Sequence, residues 1–134
     1  MSIKEVSGMN LSIGEFAKRT GLSIDTLRYY EKEGLIHPQR SANNRRIYSE
    51  IDETWMNFIL RLKATAMPIK KIKEYARLRY LGDGTTQERL DILYAHRAFM
   101  REEEKHLHEN MEHLNQKIAS YEKQVLNKKT ADSL

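Results

Sequence analysis

The chain has 134 residues, 31% of them charged and 40% hydrophobic, with two prolines, no cysteine and a formal charge of +4. That length suits one domain, or a small domain with an extended helical arm, and the long Glu-, Lys-, Arg-, Leu- and Met-rich stretches favour helices over a sheet. The absence of cysteine excludes disulfides, thiolate metal sites and thiol redox sensing, and no apolar run approaches the roughly 18 residues of a membrane span or resembles a signal peptide, so a cytoplasmic protein is expected.

Met1 to Asn10 has no clear period and is expected to form a frayed leader. Ser12-Ile-Gly-Glu15 then gives a capping box and opens a short helix, with Ile13, Phe16 and Ala17 on its apolar side, that ends at Thr20-Gly21. Ser23 is a good N-cap for a second helix ending near Gly34, with Ile24, Leu27 and Tyr30 facing a core. Steps of 100° turn Asp25, Thr26, Tyr29 and Glu33 outward with Arg28 and Lys32 on the flank. Such a face can meet phosphates and base edges, although any solvated helix also needs a polar side. Two short helices across a tight glycine turn have the form of a helix-turn-helix, and also of an ordinary helical hairpin.

Pro38 ends helical structure, and Asn43-Asn44 can take positive φ in a tight turn. Ile36 to Gln39 and Arg46 to Tyr48 are therefore expected to pair as a small hairpin, a wing whose tip carries Arg40, Arg45 and Arg46. Guanidinium groups stay charged and donate in a fork, which suits phosphate or minor-groove contact; a solvated basic loop is the plain alternative. Ser49-Glu-Ile-Asp52 caps a third helix with Ile51, Trp55, Phe58, Ile59 and Leu62 as apolar positions. Met67-Pro68 breaks it, and a fourth helix runs from Pro68 in its first turn to about Leu81. From Arg61 to Arg79 there are seven Lys or Arg against the single acid Glu74, so Lys70 and its neighbours Lys71 and Lys73 are read as a second backbone contact.

Gly82-Asp83-Gly84 reads as a flexible joint and Thr85-Thr-Gln-Glu88 as a further capping box. From Thr86 to about Asn127 there is no Gly or Pro, so one helix of about 40 residues, about 60 Å long, is expected there. Alternating steps of three and four visit Leu90, Leu93, Arg97, Met100, Glu104, Leu107, Met111, Leu114, Ile118, Tyr121 and Val125, and nine of these eleven are apolar. That is a coiled-coil seam, and it implies a homodimer. In an antiparallel or offset pairing Arg97 and Glu104 could face each other and fix register; residues 128–134 read as a disordered tail.

His106, His108 and His113 lie among glutamates, but the last two are five apart, one too many for stacking on one helical face, so no metal is expected. Neither a serine–histidine–acid arrangement nor a phosphate-binding glycine loop is present, so no enzyme and no cofactor is expected. Met56, Tyr75 and Tyr80 are candidates for an effector pocket, with plain core as the alternative.

Thr26-Leu-Arg-Tyr-Tyr-Glu31, then Gly34-Leu35, Pro38, Arg40, Arg46 and Tyr48, resemble in order and spacing the N-terminal winged helix-turn-helix of the MerR family of transcription regulators. Where that family usually has Gly-Tyr-Arg at the wing turn, this chain has Asn44-Arg45-Arg46. Tyr80-Leu-Gly-Asp-Gly-Thr-Thr, His96-Arg97, Trp55-Met-Asn-Phe-Ile59 and Ile118-Ala-Ser-Tyr121 are similar to the aldehyde-responsive, AdhR-like branch. Members of that branch often carry a cysteine in the third helix, and Arg61 takes its place here.

The residues and the resemblance together imply a mainly α protein. A winged helix-turn-helix DNA-binding domain with a helical extension (11–81) would precede a long dimerisation helix (85–127) pairing as an antiparallel coiled coil. Double-stranded DNA would be contacted by Ser23, Thr26, Arg28, Tyr29, Tyr30, Arg40, Arg45, Arg46, Tyr48 and Lys70, and dimerisation would use Leu93, Met100, Leu107, Met111, Leu114 and Ile118. The resemblance further implies a homodimer on a near-palindromic operator in a promoter spacer, bending and untwisting it for RNA polymerase on receipt of a small-molecule or stress signal. An excisionase-like architectural DNA binder and a coiled-coil module for binding an acidic protein are the alternatives.

Overall fold

A computed structural model describes residues 10–133; the expected leader therefore lies outside the described residues except for Asn10, and so does Leu134. In chain order the elements are α1 (Ile13–Thr20), α2 (Ile24–Lys32), β1 (Gln39–Arg40), β2 (Arg46–Ile47), α3 (Glu50–Ala64), α4 (Ile69–Leu81), a 3-10 turn (Asp83–Thr85) and α5 (Thr86–Ser133). They form two units, one ending at Leu93 and the other beginning at Tyr94.

Local chemistry sets the boundaries in the first unit. The Ser12 hydroxyl accepts the Glu15 amide while Glu15 accepts the Ser12 amide, the reciprocal capping box, and Ser49 and Asp52 repeat it at the start of α3. Gly21 ends α1 at φ 74°, and Gly34 follows α2 at φ 78° with its amide donating to the Glu31 carbonyl. Pro68 sits just before α4 as its N-cap rather than inside the first turn, and the preceding reversal passes through Ala66 at φ 69°. In the wing, Gln39 pairs with Ile47 and Arg40 with Arg46, Asn44 supplies the positive φ, and Leu11 exchanges two backbone hydrogen bonds with Tyr48.

The core is built around Phe16, Leu27, Leu35, Tyr48, Met56, Ile59 and Ile72, all essentially inaccessible. Phe16 of α1 stacks on Tyr48 with ring centroids 4.1 Å apart, which pins the base of the wing to the helix-turn-helix. The Trp55 indole N–H donates to the Leu35 carbonyl at 2.8 Å, satisfying a buried acceptor in the segment between α2 and the wing. Ile24 and Ile51, expected on apolar faces, are instead exposed, and Ile69 is exposed as well. Ile24 and Ile69 open their helices and Ile51 is second in α3, where the chain enters from the surface.

The joint after α4 differs from the expected capping box. Thr85 is buried, and its hydroxyl donates to the Leu78 carbonyl at 2.6 Å and lies 2.8 Å from that of Gly82, so it closes the end of α4 instead of capping α5. Gly82 takes φ 100°, and Arg89 reaches back to the Thr85 hydroxyl at 3.0 Å. Ile92 and Leu93 pack against the core. Residues 128–133, expected to be a disordered tail, continue α5 to Ser133, because nothing between Asn127 and there breaks a helix.

Replacing the indole tests what holds the segment after α2. Trp55→Phe should lose about 1–3 kcal/mol, the cost of a buried carbonyl left without a donor, read as a lower urea midpoint with unchanged slope.

Candidate DNA-binding surface

The second helix is positioned from its inner side. Leu27 is wholly buried and Tyr30 nearly so, which leaves Asp25, Arg28 and Tyr29 exposed and Thr26 partly exposed on the other side. The Ser23 hydroxyl accepts the Thr26 amide at 3.0 Å and donates to the Thr26 hydroxyl at 2.8 Å, so the N-cap also fixes the rotamer of a candidate base-reading residue. Arg28 lies 3.8 Å from Asp25, a loose pair with both side chains largely in solvent, so it stays available for phosphate or guanine. Tyr29 is half exposed, with its hydroxyl 3.5 Å from a Glu33 carboxylate oxygen.

Four of the residues expected on DNA have partners within the fold. Tyr30 is a core residue whose hydroxyl accepts from the Lys63 ammonium at 3.2 Å. Tyr48 is buried against Phe16, and burial pushes its phenol pKa up to about 12, so its ring supports the wing from beneath and does not reach its surface. Arg40 and Arg46 do not project from the wing tip: Arg40 Nη2 lies 2.9 Å from Glu31 Oε2 and Arg46 Nε 2.5 Å from Glu31 Oε1. Only Arg45 of the three arginines stands on the turn free of any ion pair among the described residues.

Lys70 and Lys71 are exposed at the start of α4. Lys73 instead binds Glu33 at 2.7 Å, so the charge that opposes the α4 dipole is offset inside the chain rather than by phosphate. Glu31 and Glu33 escape a local reading because their partners lie 9, 15 and 40 residues away. Burial acts to raise the Glu31 pKa, but the Arg46 and Arg40 guanidiniums outweigh it and hold it below the ordinary carboxylate value; the Lys73 ammonium does the same for Glu33.

Met56, Tyr75 and Tyr80 do not frame an opening. Met56 is fully buried, Tyr75 is stacked on Trp55, and Tyr80 packs edge-on against Trp55 and His37 while its hydroxyl accepts the His37 amide. The accessible groove beside them, of about 400 Å³, is lined by Glu50, Ile51, Thr54, Trp55, Phe58 and Arg79. Among the described residues no group of histidines and acids could hold a metal; His106 and His108 each pair with a glutamate one turn away, Glu102 and Glu112.

A nine-residue helix with a polar outer face, joined to α1 across a tight glycine turn and with an arginine-bearing wing beside it, defines a DNA-binding transcription regulator of the winged helix-turn-helix class. The comparisons agree. A model of the MerR HTH family regulatory protein matches residues 11–78, and the chain belongs to the MerR family. It is 31% identical over 116 residues to an HTH-type transcriptional regulator of Haemophilus influenzae, covering 86% of each. It is 39% identical over 84 residues to the HTH-type transcriptional regulator AdhR of Bacillus subtilis, covering 62% of this chain and 60% of AdhR. Among solved structures it is similar to HiNmlR, a MerR family regulator lacking the sensor domain, bound to promoter DNA: TM-score 0.76, 31% identity, 86% of this chain and 92% of that one. A MerR family regulator from Bacillus thuringiensis gives a TM-score of 0.70 at 35% identity, covering 84% of this chain and 99% of that one. Among the described residues no helix is long and apolar enough to cross a membrane.

The acid limb of stability should report the shared carboxylate. Because its folded pKa lies below the ordinary 4.5, the stabilisation from Glu31 is complete above that value and is lost as pH falls through the folded pKa. Between pH 7 and 5 the Glu31→Gln variant should show the same pH profile of stability as the parent, and below about 4.5 a shallower slope, measured by urea unfolding at each pH.

Proposed function

We propose that the protein works as a homodimer in the cytoplasm, each copy placing α2 in one major-groove half-site of a near-palindromic operator within a promoter spacer. The observation that carries the dimer is the seam of α5. Met100, Leu107, Met111, Leu114, Ile118, Tyr121 and Val125 recur at coiled-coil spacing and are each 40–64% exposed on a helix with no buried residue. A stripe of that length left in water is the sequence form of a partner surface, and a second copy supplies a matching one. Two-fold pairing of identical chains calls for two-fold symmetric DNA.

Within each half-site Thr26, Arg28 and Tyr29 read or touch the groove, Ser23 orients Thr26, and Arg45 and Lys70 contact flanking phosphates. The promoter-bound state of HiNmlR supports action at a promoter. Bending and untwisting a spacer costs on the order of 1–6 kcal/mol, which phosphate contacts from both copies would supply, and RNA polymerase would engage the deformed DNA. HiNmlR, described as lacking the sensor domain, favours a second reading in which the deformation is not switched by a bound small molecule. The filled positions of Met56 and Tyr75 weigh the same way against a pocket at that place.

Footprinting of the chain on its own upstream region at physiological salt tests the whole reading: one protected, two-fold symmetric site is expected, and weak uniform protection would favour a backbone-only binder. Thr26→Ala should change base preference at one position of each half-site, whereas Arg45→Ala and Lys70→Ala should each weaken binding evenly and lower the salt slope by about one per half-site contact. Leu107→Arg with Met111→Arg should give a monomer by sedimentation equilibrium and reduce operator affinity to half-site level.

A further inference from the structure

We propose that Glu31 is a positioning residue for DNA binding, acting through the two arginines whose guanidinium groups it holds side by side between the recognition helix and the wing. The inference rests on the reading above that the wing meets phosphates. Arg40 and Arg46 are directly paired across the two wing strands, so their side chains leave the same face of the hairpin. Two like charges at that spacing repel, and although Tyr48 anchors the base of the wing, a hairpin of two residues a side has little of its own to hold its outer end. Glu31 resolves both problems with one carboxylate, one oxygen to each arginine.

The three groups carry a net charge of one positive unit, and each arginine spends one nitrogen on Glu31 through the contacts given. The remaining N–H groups of both forks are thus ordered before DNA arrives, at the junction where a phosphate flanking the major groove would lie. A long side chain that is already ordered loses less freedom on binding. Glu33, two residues on, is the internal contrast: it is also a glutamate and also ion-paired, but its partner Lys73 belongs to α4 and not to the wing.

The contrast gives the test, because the two acids should respond with opposite sign. Neutralising an acid beside DNA tightens binding by electrostatics alone, and Glu33→Gln, which also frees Lys73, should do so with a steeper salt dependence. Glu31→Gln should instead weaken operator binding by about tenfold, since two arginines must then be ordered on binding. Ethylation of the phosphate that faces Arg40 and Arg46 should interfere less in that variant, whereas interference at the phosphates met by Arg45 and Lys70 should persist. If Glu31→Gln is too unstable to assay, Glu31→Asp keeps the charge but shortens the reach and should weaken binding with the same loss of interference. Tightening by Glu31→Gln, or unaltered interference in either Glu31 variant, overturns the proposal. Flanking phosphates that never interfere in the parent protein, together with full affinity of Arg45→Ala, would overturn the wing contact itself, and the positioning role with it.

Discussion

A helix of nine residues does not persist alone in water, so the orientation of α2 is set entirely by what its inner side buries. Leu27 and Tyr30 are that inner side, and they belong to one apolar cluster with Phe16 of α1, Tyr48 at the base of the wing, and Met56 and Ile59 of α3. Removing a side chain of that size from such a core costs about 2–5 kcal/mol, whereas a partly exposed ion pair contributes about 0–1. The apolar contacts therefore decide that α2 is held. The ion pairs decide in finer detail how the groups around its outer face are arranged.

That division changes the meaning of the basic excess. A net charge of +4 is modest, and much of the positive charge near α2 is already matched within the chain: Arg40 and Arg46 by Glu31, Lys73 by Glu33, and Arg19 by Glu53 at 3.1 Å. A surface of unmatched cations would bind any duplex through its phosphates, with an affinity that depends steeply on salt. Pairing cations with acids of α2 and α3 lowers that indiscriminate attraction. It leaves Arg28, Arg45, Lys70 and Lys71 as the more available charges around a face whose hydroxyls can read bases.

What could be read from the sequence follows the range of the interaction. Capping boxes at Ser12 and Ser49, the left-handed turns at Gly21, Gly34 and Asn44 and the break at Met67-Pro68 are all decided within a few residues, and they formed where expected. The capping pattern at Thr85 met the same local rule but lost to a longer one. A buried carbonyl at Leu78 competed for its hydroxyl, and an acceptor with no access to water outweighs an amide that solvent can satisfy. Glu31 and Glu33 looked like ordinary outward acids because their partners are distant in sequence. Tyr48 looked like a polar handle on a wing because burial is not visible in a tyrosine's name, whereas its stacking on Phe16 places it in the core.

The fifth helix carries the reverse lesson. That it is one long helix was legible because no Gly or Pro interrupts it, yet its full extent was not, since the polar residues after Asn127 neither favour nor break a helix decisively. Beyond Leu93 the apolar stripe of this 48-residue helix, none of whose residues is buried, gains nothing until a second surface covers it. With a second copy as that surface, pairing and symmetric DNA recognition become one equilibrium: each half-site contact adds to the stability of the pair, and pairing raises the local concentration of the second α2. Moderate contacts in each half-site then suffice for tight binding to a symmetric operator, and a single chance half-site elsewhere holds the protein only weakly.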